Sequence, residues 1–242
     1  MPREQPEQQA PPVQRLRIRY AKRGRLRVTS HRDFSRAFER AVFRARVPMA
    51  YSSGFNPHPR ISYAGAAPTG SASEAEYLEL ALAEVVDPAT IHASLAEALP
   101  DGLDVLVVVD VATTGPGSLA DRLEASRWRL DLTCSRDDAA AAVEELLATD
   151  EVLVERMTKK GLRSFDARAA VVALTVLDTP GESASLDLVL RHTVPAVRPD
   201  DVLSALRGVA DLDPGEAPLL TRLAQGPLDV ATGEVGDPLA VS

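Results

Sequence analysis

The chain has a single cysteine, Cys134, in 242 residues. That excludes an intramolecular disulfide, a thiolate-held iron–sulfur cluster and a Cys-rich zinc site within the chain. Histidine is almost as scarce. His31, His58, His92 and His192 show no metal-ligand spacing, so no metal and no cofactor is expected. Aromatic residues make up 4% of the chain against 45% apolar residues, so the core must be built from Leu, Val and Ala. No apolar run is long enough to span a bilayer, and no membrane partner is expected. The opening MPREQPEQQAPPVQ is polar and rich in Pro and Gln, without the apolar stretch of a secretory signal. Residues 1–13 read as a disordered leader, and the expected compartment is the cytoplasm.

The net charge of −8 conceals a strong polarity. Residues 14–63 hold thirteen basic residues, opposed only by Asp33 and Glu39. Residues 64–242 hold thirteen basic residues against 31 acidic ones. What docks on a protein answers to the local field, not to the overall charge.

Leu16, Ile18 and Tyr20 alternate with Arg15, Arg17 and Arg19, the period of a half-buried strand with three guanidinium groups on its open face. Lys22, Arg23 and Gly24 make a turn, after which Leu26 and Val28 resume the apolar face with Arg25 and Arg27 opposite. Ser30 caps a helix, and Asp33 suits the positive end of its dipole. Phe34, Ala37, Phe38, Ala41 and Val42 form the buried stripe of that helix. Arg32, Arg36, Arg40 and Arg44 recur every four residues on its outer side, a like-charge spacing that an anionic partner would relieve. Pro48 stops the helix.

A shaped Pro/Gly loop over 51–70 leads into a short strand at 61–64, then a strand at 77–83. Asp87-Pro88 opens a second helix, with Ile91, Leu95, Ala98 and Leu99 buried, and 105–111 is a buried strand. The order strand, helix, strand, strand, helix, strand is that of a ferredoxin-like split βαβ unit. TTGPGS at 113–118 marks a linker over 113–120. The pattern then restarts, with strands at 128–133, 152–157, 169–177 and 186–192, helices at 137–148 and 200–209, and an extra hairpin at 157–169. In the first of these helices Ala140, Val143, Leu146 and Leu147 should face inward. From 211 the chain turns acidic and rich in Pro and Gly, as a loosely packed tail would be. The expected architecture is α+β: two tandem ferredoxin-like halves with antiparallel sheets, a basic one at 14–112 and a second at 121–210, followed by a tail at 211–242.

Three clusters are candidates for chemistry. The basic strand and helix suggest a phosphate-tracking face. In a ferredoxin-like fold the exposed sheet surface is the common platform for single-stranded RNA, although the aromatic interleaving of such platforms is thin here. At the helix start, Ser30-His31-Arg32 would make a phosphate corner. In the loop Gly54-Phe55-Asn56-Pro57-His58-Pro59-Arg60, Phe55 and His58 could stack on a base and Arg60 could bind a phosphate. His58 or His31 could instead serve as a general acid or base. The third cluster is a basic hairpin with Lys159 and Lys160 at its tip and Arg163 and Arg168 on the returning strand. Each has a plainer reading: a solvated arginine face, a rigid loop plugged by Phe55, an ordinary charged turn. An acidic partner, or the acidic remainder of the chain, would also satisfy the basic stretch.

The stretch from Arg17 to Leu80 resembles the N-terminal signature of the bacterial radical-SAM-linked protein family, a domain of unknown function. The matching pieces are the Lys/Gly turn, Ser30-His31-Arg32-Asp33, Gly54-Phe55-Asn56-Pro57-His58-Pro59-Arg60 and Ser73-Glu74-Ala75-Glu76-Tyr77. Lys160-Gly161 followed by Asp166-Ala167-Arg168 is similar to that family's second signature. Such proteins are encoded beside, or fused to, a radical SAM protein, often near a ribonuclease E/G gene. The resemblance therefore implies a radical SAM protein as partner, and with one Cys this chain would be that partner and not the radical enzyme itself. The expectation is an RNA-binding accessory protein that presents tRNA or rRNA to a separate radical SAM modification enzyme. The alternatives are a metal-independent endoribonuclease using His31 or His58, and a scaffold that binds only protein.

Overall fold

In the computed structural model, which describes residues 8–158 and 161–240, the alternation of Leu16, Ile18 and Tyr20 builds β1 (Gln14–Lys22). The chain divides into two compact units. The first comprises residues up to Thr69, Ser73–Asp121 and the C-terminal residues from Leu239. It contains α1 (His31–Arg44), β2 (Ile61–Ala64), β3 (Ala72–Leu82), α2 (Pro88–Ala98) and β4 (Leu103–Asp110). β1 lies antiparallel between β4 and β3, and β2 pairs antiparallel with β3. The order across this sheet is β4-β1-β3-β2.

Packing follows from periodicity. Leu16, Ile18 and Tyr20 meet Leu78, Leu80 and Leu82 of β3 and Phe34, Phe38 and Val42 of α1, all in one buried cluster. Tyr20 stacks on Phe34 with centroids 4.9 Å apart. Ser30 caps α1 by accepting from the Asp33 amide (3.2 Å) and donating to its carboxylate (2.7 Å). Asp87 caps α2 through the Ala89 amide, with Pro88 in the first turn.

The segment expected to resume as a strand, with Leu26 and Val28 inward and Arg25 and Arg27 opposite, is instead a 3-10 turn over Gly24–Val28. Gly24 takes φ +54°, which reverses the chain. The Arg23 amide donates to the Gly102 carbonyl (2.8 Å), and Leu26 packs against the core. Five alternating residues with no strand to pair against close on themselves, and Val28 is left exposed.

The second unit comprises Gly70–Ala72 and Arg122–Pro238. Its elements are β5 (Ala125–Ser135), α3 (Arg136–Ala148), β6 (Leu153–Thr158), β7 (Gly161–Asp166), β8 (Val171–Val176), β9 (Ser183–Arg191), α4 (Pro199–Ala210) and β10 (Leu219–Gly226). β5 pairs antiparallel with β9 and β10, and β8 with β9, giving β10-β5-β9-β8. β6 and β7 form a separate hairpin. In α3 the buried residues are Ala139, Ala142, Val143 and Leu146, so the inward face is turned away from the expected Ala140 and Leu147.

Two boundaries differ from expectation. The acidic segment at 211–242 is no loose tail: Leu219–Gly226 is a sheet strand paired with β5, and the chain then turns back on itself, with Leu228 bridging Val235. The strand's buried positions include Arg222 and Gln225, so no apolar alternation marks it, and its Pro- and Gly-rich flanks disguise it further. Nor is 113–120 a free linker, because Gly115 and Leu119 are buried. Met1–Glu7 of the expected leader lie outside the described residues. Its remainder lacks regular structure, but the Val13 amide donates to Leu82 (2.9 Å). The fold is thus mixed α+β, with mostly antiparallel strand pairing. No helix among the described residues is long and apolar enough to cross a membrane.

Candidate nucleic-acid interface

The basic stretch separates into two populations. The arginines of β1 are consumed inside the first unit. Arg17 is 2% exposed. Its guanidinium donates to the Thr114 hydroxyl and the Gly117 carbonyl, both at 2.7 Å, and to Glu79 at 3.4 Å. The supposed linker is therefore bound to the very sheet face that would have carried RNA. Arg15 pairs with Glu79 at 3.0 Å, and Arg19 donates to the Glu74 carbonyl at 2.8 Å. Lys22 is buried. Arg23 is chelated by Glu74 and by Asp104 (2.7 Å to the latter), and the Glu74 hydrogen bond raises its already high pKa further. The expected platform of Arg15, Arg17, Arg19, Lys22 and Arg23 is not an open cationic face. Cross-strand register sets the carboxylates of β3 against it, Arg17 lying opposite Glu79.

The arginines of α1 behave otherwise. Arg32, Arg36 and Arg40 are exposed, and no ion pair holds them among the described residues. Arg25 and Arg27 are likewise exposed on the preceding turn. Arg44 donates to the Ala98 carbonyl at the end of α2, where a cation suits the dipole. Phe43 stands within this stripe, 80% exposed.

Three grooves adjoin one another on the first unit, two beside α1 and a third reaching the opposite sheet face. The first, about 710 Å³, is lined by Arg36, Arg40, Phe43 and Pro100. The second, about 540 Å³, shares Glu39, Phe43 and Arg44 with it and adds Arg46, Tyr51 and Pro59. The third, about 250 Å³, shares Pro59 with the second and brings together Arg15, His58, Arg60 and Glu79. The first two volumes fall in the ordinary range of ligand clefts.

The 51–60 loop is built as a clasp. Tyr51 bridges Pro59, the Ser52 amide donates to the His58 carbonyl (2.9 Å), and the His58 amide donates to the Ser52 hydroxyl (3.0 Å). Arg60 is fixed by backbone bonds to Ala50 and Ala81. Phe55 is 62% exposed and does not plug the core. His58 reaches the third groove; His31 instead packs edge-on to Tyr63 at 5.1 Å. Tyr63 is half-buried, and burial pushes its phenol up to about 12.

In the Ser30-His31-Arg32 corner the Ser30 hydroxyl accepts from the Asp33 amide and donates to the Asp33 carboxylate, so the hydroxyl is committed and a negative charge already stands at the helix start. In the second unit, Arg168 is directed to backbone carbonyls of Val171 and Leu147. Arg163 is exposed. Lys159 and Lys160 lie outside the described residues. Cys134 is half-buried at the end of β5, and burial pushes its thiol up, away from the reactive thiolate.

Phe43, Arg46 and Tyr51 were not among the expected site residues. Phe43 had a sequence signal, since it falls one position past the buried stripe that ends at Val42. Arg46 had another. The helix closes with the Arg46 amide donating to Phe43 and the Val47 amide to Val42, both at 3.1 Å, a pattern that places Arg46 at φ +52° where glycine is usual.

A search of curated proteins found no match. Among solved structures, a chain of the crystal structure of a Cbf5-Nop10-Gar1 complex is similar at 10% identity and TM-score 0.46, covering 92% of this chain; the match spans 56% of that chain's length. The encapsulated DyP-type peroxidase from Mycobacterium smegmatis aligns over 97% of this chain and 100% of its own at 13% identity and TM-score 0.20. A family model matches residues 15–199, and the chain belongs to that family, "Uncharacterized protein conserved in bacteria (DUF2344)".

Proposed function

We propose that the chain is an RNA-binding accessory protein that presents tRNA or rRNA to a separate radical SAM modification enzyme. The carrying observation is the pair of adjoining grooves beside α1, lined by Arg36, Arg40 and Arg46 and bordered by exposed Phe43 and Tyr51. Phosphates need the cations, bases need the aromatic faces, and both occur along one path. The three i, i+4 arginine repulsions on α1 cost about 1 kcal/mol in total, which a phosphate backbone would relieve. Each unit has the strand order of a ferredoxin-like split βαβ, and we read the pair as tandem copies of that fold. RNA would use the helix side of the first unit, because its sheet face is covered. The radical SAM partner rests on the family resemblance. Catalysis is assigned to that partner.

The test is fluorescence anisotropy of labelled single-stranded RNA across a salt series. Affinity should fall steeply with salt, by about 0.7 in log–log slope for each phosphate contact. Replacing Arg32, Arg36 and Arg40 with Ala should reduce that slope by about 2. RNA incubated in EDTA should stay intact. Salt-insensitive binding, or a slope unchanged in the triple variant, would refute the proposal. Cleavage in EDTA abolished by His58→Ala would replace it with the endoribonuclease reading.

A further inference from the structure

Phe43 separates two grooves and lines both. The groove on one side carries Arg36 and Arg40, and the groove on the other carries Arg46 and Tyr51. Glu39 lines both as well. A carboxylate repels phosphate but accepts hydrogen bonds from the exocyclic amino groups of bases. A groove lined by Glu39 together with arginines can therefore take a base beside its phosphate. Arg46 adds an independent observation. It is held at φ +52°, a conformation that costs an L-residue free energy and favours glycine. The glycine there would close the helix more cheaply, and what the arginine supplies instead is a cation at the lip of the Phe43–Tyr51 groove. Backbone strain of this kind gathers at binding sites.

Resting on the RNA-binding reading above, we infer that this surface takes unpaired RNA, with two successive nucleotides parted by Phe43. One base enters each groove. Phe43 stacks between them, Tyr51 borders the second base, and Arg40 and Arg46 hold the phosphates to either side. A duplex cannot occupy the site without unstacking, so the surface selects loops, bulges or ends over helical stems. Polyglutamate has the charge to bind the arginines but no flat rings to fill the grooves.

The experiment compares a labelled 12-nucleotide single strand with a 12-base-pair RNA duplex, using the full chain. The wild type should prefer the single strand. Phe43→Ala should lose about tenfold in single-strand affinity, within the range measured for one stacked base, and leave duplex affinity within about twofold. Because Phe43 is exposed, circular dichroism of that variant should match the wild type. With 2-aminopurine in the strand, binding should quench its fluorescence by stacking in the wild type and not in Phe43→Ala. Arg46→Gly should melt no lower than the wild type and yet bind the single strand several-fold more weakly. Equal affinity for strand and duplex, or Phe43→Ala binding like the wild type, overturns the inference. If the Arg32/Arg36/Arg40 variant still loses RNA in that case, the broader RNA reading survives. Absence of RNA binding by the wild type overturns both. Polyglutamate that displaces RNA as well as polyuridylate does, charge for charge, also overturns the inference, since it would assign the surface to acidic protein.

Discussion

Arg17 is the sharpest place to separate an arginine that holds the fold from one that holds a ligand. Arg17→Met keeps the aliphatic stem and deletes the guanidinium. Two bonds of 2.7 Å, to Thr114 and Gly117, are lost together with the longer contact to Glu79. The Gly117 carbonyl is then left without its charged donor, while Glu79 keeps Arg15 at 3.0 Å. Breaking a buried ion pair outright costs about 3–5 kcal/mol. Because the carboxylate retains a partner, the lower end applies, about 3 kcal/mol. At about 2–4 °C per kcal/mol for a chain of this size, melting should drop by roughly 6–12 °C. Amide exchange should show the loss on β1 and on the 114–117 segment, in the first unit, where the single tryptophan does not report. RNA affinity of the still-folded variant should stay within about twofold, a difference under 0.5 kcal/mol. Arg36→Ala should do the reverse, moving stability by less than about 0.5 kcal/mol and weakening RNA. A loss under about 1 kcal/mol in Arg17→Met, against the expected 3, or an RNA defect as large as that of Arg36→Ala, would refute the division into two arginine populations.

Two further predictions concern the second unit. His192 faces the Leu123 carbonyl through Nδ1 (2.7 Å) and the Ser126 hydroxyl through Nε2 (3.1 Å), while Ser126 also accepts from the Trp128 indole (2.8 Å). Burial lowers its pKa, the Leu123 contact opposes that, and Arg222 adds to it. The folded state thus favours neutral His192, and its stabilising contribution is complete above the unfolded pKa of about 6.5 and lost as pH falls below it. Trp128 emission and the urea midpoint should both shift between neutral and mildly acid pH, and His192→Gln should flatten that part of the profile; an unchanged profile would show that His192 does not carry the effect. Gly226→Ala would set a Cβ 2.1 Å from the Gly236 carbonyl oxygen and 2.9 Å from Pro238, so β10 must shift at a cost of about 3 kcal/mol. The Trp128 unfolding midpoint should fall accordingly, because Trp128 lies opposite Arg222 of β10, and an unaltered midpoint would mean that β10 does not hold this sheet.

Where one apolar face decided the element, the sequence was readable. The Phe34, Phe38, Ala41 and Val42 stripe, the Ser30 cap and the Asp87-Pro88 start all survive in the structure. Composition misled in two places. Pro, Gly and Asp around 211–218 and 226–238 hid the strand between them, and TTGPGS, which has the residues of a tether, is instead fastened down through Thr114 and Gly117. In both cases the determining partner is far away in sequence: β5 for the strand, Arg17 for the tether. A local window carries the propensity for an element but not the donor or strand that will meet it.

The same limit explains the site. Alternation correctly put Arg15, Arg17 and Arg19 on the face opposite Leu16 and Ile18, but it could not say that register brings Glu79 opposite Arg17 or that the 114–117 segment binds Arg17. Counting charge in a fifty-residue window merged five residues spent on internal bonds with others that face water. The helix arginines were legible because their i, i+4 recurrence opposes a stripe already committed to the core, which leaves no route inward. Arg46 reveals the remaining logic. A left-handed L-residue costs roughly 1 kcal/mol relative to glycine, in a chain whose whole margin of stability is only about 5–15 kcal/mol. Asp211 closes α4 at nearly the same φ, +51°, so the conformation alone does not mark a site. What sets Arg46 apart is that its side chain lines the groove shared by Phe43 and Tyr51, which is why Arg46→Gly separates a cost to the fold from a cost to binding.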